Sequence, residues 1–465
     1  MRRRPRATPC PAFGRNSPNL GPTSPPARWQ RRNGRAAVNP AMAGTQSCLD
    51  AAFAAAMDRL GPFEPHPVLA AAVSGGADSL ALAILARDWA HRHEGSVLAL
   101  VVDHGLRPTS NDEARITLER LAGLEIPARL LPLTNLKHGA ALAERARIMR
   151  YQVLTDACRA AGILHLLLGH HMADQVETLA MRVLRSSQTH GLAGMAALHE
   201  TAGLRLLRPL LAVDPERLRG LLVGNAIHWI EDPSNRDLRA MRPRLRHRLT
   251  PRGREDTGLP QAMAAVGRLR SQEETRIAAE LADRATIRPE GFALLSSGRI
   301  SPAALGSLVR TISGMPYPAS PDQIIRLAAR PEPATVAGVR VVPAGRFGDG
   351  WLIVREEAAI MLPVAASSGI TWDRRFRLLD GQVLPAGAMI GKLGPDAAQF
   401  RGDTDLPSAI LRTMPALRVG KVLAAVPHLG YVSNNMSQRI TALFNPRKPI
   451  AGPCFASADM GTASS

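Results

Sequence analysis

The sequence predicts an α/β protein: a doubly wound parallel sheet followed by smaller helical and mixed α+β units. Three observations predict it. Short apolar runs alternate with helical stretches over residues 68–185, the pattern of a parallel sheet covered on both faces. A glycine-rich loop, Ser74-Gly75-Gly76-Ala77-Asp78-Ser79, joins the first of these runs to the helical stretch after it. The polar clusters fall at the carboxyl ends of the runs, where open α/β sheets bind ligands.

Residues 1–45 hold nine arginines, no lysine and no acid, and are rich in Pro, Gly, Ser and Asn. Such a composition cannot bury a core and predicts a disordered basic tail. A translation start at Met42 is the competing expectation, because the first plausible helix, Cys48–Leu60, begins just after it. Val68–Val73 is the first apolar strand and Leu80–His91 the helix beyond the loop. Val97–Val102 is a second strand, ending at Asp103-His104, and Asp112–Leu121 a helix. Arg129–Leu133 reads as a third strand, Ala140–Ala161 as a long helix, Leu164–Leu168 as a fourth strand and Asp174–Arg185 as its helix. Breakers around Asp232–Asn235 and an arginine run to Arg248 close a unit of residues 46–250. After a linker at Pro251–Pro260, residues 251–365 form a helical and mixed unit. Its helices are Ala262–Ala285, Pro302–Ser313 and Pro321–Ala329, and its strands Val336–Val342 and Trp351–Val354. Residues 366–465 read as a small mixed unit of short strands and turns with a flexible end.

Of the 465 residues, 45% are hydrophobic and 21% charged, as in an ordinary soluble globular protein. No apolar run reaches the roughly 18 residues of a membrane span, and the N-terminus lacks the apolar stretch of a secretory signal. A cytoplasmic location without a membrane partner is therefore expected. The net charge is +19, and subtracting the nine arginines of the tail leaves about +10. That moderately basic body suits a polyanion such as nucleic acid, and equally a solvated basic surface. The four cysteines, Cys10, Cys48, Cys158 and Cys454, are far apart and include no C-x-x-C. This argues against structural zinc and iron–sulfur clusters and for a reducing compartment.

The loop carries the clearest chemistry. Glycines let the backbone approach phosphate, and N–H groups at a helix N-terminus bind anions. Ser74 and Ser79 add hydroxyl donors, and Asp78 can help hold a magnesium ion on phosphate oxygens. The loop lacks both the lysine of a G-x-x-x-x-G-K-[ST] loop and the third glycine of G-x-G-x-x-G. Further along, Glu144, Arg147 and Arg150-Tyr151 share one side of a helix, at spacings i, i+3 and i+6/i+7. Gly169-His170-His171-x-x-Asp174-Gln175-x-Glu177-Thr178 ends the fourth strand and opens a helix; the histidine pair can serve chemistry or merely cap that helix. Gly191-Leu192-Ala193-Gly194-Met195, Arg208-Pro209-Leu210-Leu211 and Trp229-x-Glu231-Asp232-Pro233-Ser234-Asn235 complete the series. Arg185, Arg208, Arg242, Arg244 and Arg246 are candidates for phosphate contacts, and for the run at 242–248 a solvated face is an equal reading. With only 4% aromatic residues, polar and arginine contacts rather than stacking would read bases.

The S-G-G-x-D-S loop resembles the pyrophosphate-binding PP-loop of the ATP pyrophosphatases, which cleave ATP between its α and β phosphates and place AMP on a substrate oxygen. In their order and spacing the further motifs resemble the tRNA(Ile)-lysidine synthetase family, densely over residues 68–250 and more loosely over Leu406–Gly430. The resemblance implies a PP-loop fold with ATP as co-substrate and Mg2+ held with the help of Asp78. It implies isoleucine tRNA with a CAU anticodon and free L-lysine as partners, in a bacterial cytoplasm, and leaves a homodimer open. ATP would be bound by Ser74, Gly75, Gly76, Ala77, Asp78, Ser79, Asp103 and His104, and lysine bound or deprotonated by His171, Asp174 and Glu177. The tRNA would be met by Glu144, Arg147, Arg150, Arg185, Arg208, Asp232, Asn235, Arg242 and Arg246. The chain departs from the family pattern at Val101, Ala173, Ser186, Gln188 and Pro243. Two other readings are a tRNA sulfur transferase of the same loop type, which needs a reactive cysteine or a cluster, and a non-catalytic RNA-binding module.

Overall fold

The computed structural model describes residues 40–105, 109–133, 142–184, 189–201, 203–231, 241, 244–245, 258–434, 436, 438–446 and 448–457. After helix α1 (Pro40–Leu60) the chain alternates: β1 (Val68–Val73), α2 (Ala77–Arg92), β2 (Ser96–Asp103), α3 (Ser110–Gly123), β3 (Ala128–Pro132), α4 (Leu142–Ala160), β4 (His165–Leu167) and α5 (Met172–Leu184). A short helix α6 (Thr189–Leu192), a hairpin of β5 (Leu198–Thr201) and β6 (Leu204–Leu207), and α7 (Pro215–Gly224) follow. The sheet runs β3-β2-β1-β4-β6-β5. Every pairing in it is parallel except β5 with β6.

β1 shows why the sheet is wound on both sides. Leu69, Ala71 and Val73 join a cluster with Leu49, Phe53 and Met57 of α1, Leu80 and Trp89 of α2 and Leu218 of α7. The intervening Ala70 and Ala72 join Leu154, Ala157 and Cys158 of α4 on the opposite face. Side chains alternate across a strand, so a strand buried on both faces is apolar throughout. Cys158 is fully buried, and burial pushes its thiol up to about 11, which fits a core residue rather than a reactive one.

The later part begins with a long helix, α8 (Leu259–Arg284). β7 (Ala285–Arg288), β8 (Phe292–Ser296), β9 (Ala334–Val336), β10 (Val339–Pro343) and β11 (Gly350–Arg355) form a second sheet in the order β7-β8-β11-β10-β9. Helices α9 (Pro302–Ser313) and α10 (Pro321–Ala329) pack on it through Leu305, Leu308, Ile312, Ile324 and Leu327. The single strand expected over Val336–Val342 is in fact two, because Ala337 and Gly338 both take positive φ and turn the chain back on itself. β12 (Val364–Ala365), β13 (Thr371–Trp372), β14 (Phe376–Leu378), β15 (Ala388–Lys392), β16 (Pro415–Val419), β17 (Val422–Val426), β18 (Tyr431–Val432) and β19 (Ala442–Phe444) build two further sheets, β12-β15-β16-β17-β18 and β13-β14-β19.

Beyond β19 the chain returns to the first sheet. The Phe455 ring lies beneath the Arg270 guanidinium of α8, whose carbon is 4.5 Å from the ring centroid, and the Phe455 N–H donates to Glu274 at 2.6 Å. One residue on, the Ala456 carbonyl accepts the Ala197 N–H at 2.8 Å, just before β5. Among the described residues, no helix is long and apolar enough to cross a membrane.

Candidate active site

The helix after the loop starts at Ala77, three residues ahead of the expected Leu80, so Asp78 and Ser79 occupy its first turn. The loop is closed by its own serines. Ser79 Oγ accepts the Ser74 N–H at 3.1 Å and donates to the Gly76 carbonyl at 3.0 Å. Its one proton being used, the Ser74 hydroxyl 3.2 Å away is the donor of that pair. Gly76 is the N-cap and supplies no side-chain cap to α2, which leaves helix N–H groups and the positive end of the dipole for an anion. Gly75 is required twice over: its φ is +82°, and a Cβ there would lie 2.4 Å from Thr117 Oγ1. Thr117 is itself buried and donates to the Glu113 carbonyl at 2.7 Å. The Ile230 N–H donates to the Gly75 carbonyl at 2.9 Å, which lays the Trp229–Glu231 segment along the loop.

Gly169, just past β4, lets that strand end lean on the first turn of α2: a Cβ there would sit 3.3 Å from the Asp78 carbonyl and from Ser79 Cα. The approach brings His171 Nε2 to 3.3 Å from Asp78 Oδ2 and 3.6 Å from Asp174 Oδ2. Asp174 Oδ2 also accepts the main-chain N–H of His171 at 3.1 Å, so one carboxylate oxygen meets both the backbone and, less closely, the ring of that residue. Asp78 Oδ1 is buried without a hydrogen-bond partner. A buried carboxylate oxygen in that condition, beside a glycine-rich loop at a helix N-terminus, fits a cation. No group of three or more His, Cys, Asp or Glu among the described residues could hold a metal unaided.

Asp103 and His104 lie at the carboxyl end of β2, on the same rim of the sheet. Asp103 Oδ1 accepts the Gly105 N–H at 2.9 Å and a short hydrogen bond from the Ser110 hydroxyl at the start of α3. Burial works to raise this carboxyl, but those hydrogen bonds outweigh it and hold Asp103 below the usual range. Glu177 is 2% exposed and sits within the packed face of α5, so it does not open onto bulk water as Asp174 partly does.

On the far side of His171 the surroundings turn cationic. His170 is pushed down to about 4, first by burial and further by Arg208, Arg147 and Arg150, against the opposing pull of Asp174. The structure therefore groups Arg147, Arg150 and Arg208 around His170, while Glu144 stands exposed one turn earlier on α4. Arg185, Asp232, Asn235, Arg242 and Arg246 lie outside the described residues, as do Ser186, Gln188 and Pro243. The departures at Val101 and Ala173 are buried core positions, 2% and 3% exposed.

Sequence reasoning quotes Gln175 and residues 191–195 without giving them a role and passes over Arg182, and these residues hold the site in shape. Gln175 is 2% exposed and clamps Met195 from both sides, accepting its N–H at 2.6 Å and donating to its carbonyl at 3.1 Å. Arg182 donates to the carbonyls of Gly191 at 2.6 Å and Gly194 at 2.7 Å. Gly194, at φ +73°, leaves room where a Cβ would meet Gln175 at 2.6 Å. Gln175 and Arg182 are seven apart, two turns on one helix face, and a glycine-rich segment follows them. That spacing is the signal a sequence reader could have used.

The family model of the PP-loop domain matches residues 49–253. A tRNA(Ile)-lysidine synthase of Ruegeria pomeroyi is 32% identical over 388 residues, covering 79% of this chain and 90% of that protein. One from Brucella anthropi is 33% identical over 346 residues, 68% of this chain and 75% of that protein. One from a Bradyrhizobium species is 39% identical over 248 residues, 53% of this chain and 65% of that relative's length.

Proposed function

Since this chain belongs to the tRNA(Ile)-lysidine synthase family, we propose that it uses ATP and free L-lysine to convert the wobble cytidine of the CAU-anticodon isoleucine tRNA into lysidine. In the first step the cytidine C2 oxygen attacks the α-phosphorus and pyrophosphate leaves. In the second the lysine amine attacks C2, the C–O bond breaks, AMP departs and the amine proton passes to a base.

The observation that carries this reading is the contact of Asp78 with His171 and of His171 with Asp174 at the mouth of the serine-closed loop. It sets a proton acceptor and an anion-binding helix end in one place. The N–H groups of the loop and the α2 N-terminus would hold the phosphates, with the Ser74 and Ser79 hydroxyls keeping the loop closed beneath them, and Asp78, with its orphaned Oδ1, would hold Mg2+. When bound, the ion neutralises charge on the departing pyrophosphate. His171, whose Nε2 lies beside Asp78 and Asp174, is placed to take the amine proton. Asp174 and Glu177 supply negative charge for the ammonium groups of lysine. Arg147, Arg150 and Arg208 meet tRNA phosphates, with Arg185, Arg242 and Arg246 as further contacts. The reaction belongs in a bacterial cytoplasm, where tRNA, ATP and lysine coexist.

The test offers radiolabelled lysine, ATP and bulk tRNA to the purified protein. Label in tRNA, with AMP formed in equal amount and only when all three are present, is the expected result. AMP formation that needs a sulfur donor instead of lysine, or none at all, overturns it. Cys158, buried and pushed up to about 11, gives sulfur transfer no activated thiol there.

A further inference from the structure

Tyr151, on α4, touches two arginines at once. Arg147, one turn earlier, carries its guanidinium carbon 5.3 Å from the Tyr151 ring centroid. The Tyr151 hydroxyl is within hydrogen-bonding reach of Arg208, which follows β6 and is anchored at its other end by donating to the Ala196 carbonyl at 2.8 Å. The body of the Tyr151 ring rests on the α4 face of the sheet core, against the cluster of Leu154, Leu166 and Leu206. Among the described residues no carboxylate forms an ion pair with Arg147, Arg150 or Arg208. Arg208 Nε is buried with no hydrogen-bond partner. Burying positive charge without an acid beside it is costly, and a bound anion would offset that cost. Something must also hold them in place while the anion is away.

Resting on the function proposed above, we infer that Tyr151 is the positioning residue of a phosphate clamp. Its ring carries Arg147 and its hydroxyl carries Arg208, so that both guanidiniums meet tRNA phosphates in fixed orientation. A stacked and hydrogen-bonded arginine loses less freedom on binding than a free one. Tyr151 itself touches neither substrate nor the reacting atoms. His170, packed among the same arginines, stays neutral and adds no competing charge at physiological pH.

Two variants separate the parts. Tyr151→Phe keeps the ring under Arg147 and removes the hydroxyl from Arg208; Tyr151→Leu removes both supports. The measurements are tRNA affinity across a salt series, KM for tRNA, KM for ATP, kcat and the melting temperature. Each lost phosphate contact lowers the slope of log affinity against log salt by about 1. The expected slope falls by about 1 in Tyr151→Phe and by about 2 in Tyr151→Leu. KM for tRNA rises on the order of tenfold in Tyr151→Phe and further in Tyr151→Leu, while kcat and KM for ATP stay within about twofold. Salt slopes equal to wild type in both variants overturn the inference, whatever happens to melting or kcat, because a merely structural tyrosine would move stability and leave the slope alone. If the wild type forms no lysidine yet the slopes fall as stated, the functional reading fails and the clamp stands.

Discussion

Replacing Gly75 by alanine tests the loop geometry most directly. The backbone there is at φ +82°, a region that costs a residue bearing a Cβ roughly 1–3 kcal/mol. The added carbon would also lie 2.4 Å from Thr117 Oγ1 and 3.1 Å from Ile230 Cδ1. Ile230 can swing its terminal methyl aside. Thr117 cannot, since it is 1% exposed and its hydroxyl is committed to the Glu113 carbonyl. Overpacking of this kind adds about 1–3 kcal/mol, so the native loop is disfavoured by about 2–6 kcal/mol in all. Because 1.36 kcal/mol is tenfold, kcat/KM for ATP should fall by at least about 30-fold. The assay is tRNA-dependent AMP formation, with melting followed in parallel. Gly75→Ala combined with Thr117→Ala removes the steric part and leaves the strain, so it should recover about tenfold relative to Gly75→Ala alone. Wild-type activity in Gly75→Ala, or no recovery in the double variant, would refute the reasoning.

Three more outcomes follow from the site. Asp78→Asn should melt close to wild type yet lose about 100-fold or more in turnover, since an amide is a poor magnesium ligand; full activity would remove Asp78 from the site. Glu177→Gln should raise the lysine KM about tenfold or more, the worth of a hydrogen bond to a charged group, with the ATP KM unchanged, and an unaltered lysine KM would make this buried carboxylate purely structural. His170, pushed down to about 4 by burial, takes up its proton only after the unfolded chain has taken up its own near 6.5. Stability should therefore be full above that value and fall as pH drops from about 6.5 to about 4. The His170 share of the loss at pH 5 is about 2 kcal/mol, read from urea midpoints at pH 7.5 and 5, and the loss should shrink by that share in His170→Gln, leaving the part due to His165, His199 and His428, which burial also lowers. The same pH dependence in both proteins would place the proton elsewhere.

What the sequence made legible was whatever a local pattern can carry. β1 and its loop were readable because a strand buried on both faces is apolar without interruption and a turn beside phosphate needs glycine. α9 and α10 were readable from the Ser-Pro pair that opens each. The β5–β6 hairpin was not, because its strands are four residues each and carry Glu200 and Arg205, whose ion pair at 3.1 Å is a tertiary fact. The contact of Asp78 with His171 was equally hidden, since it depends on Gly169 drawing β4 against α2, not on any spacing along the chain. Spacing did put Asp174 and Glu177 on one helix face, but it could not say that packing would cover Glu177 almost completely.

The hydrogen bond between Ala197 and Ala456 also orders events in time. A ribosome delivers the loop, His171 and Arg208 long before it delivers Phe455 and Ala456, so the sheet edge beside Arg208 stays unfinished while the intervening sheets are made. A nascent chain that has already folded its phosphate loop still lacks this last stitch.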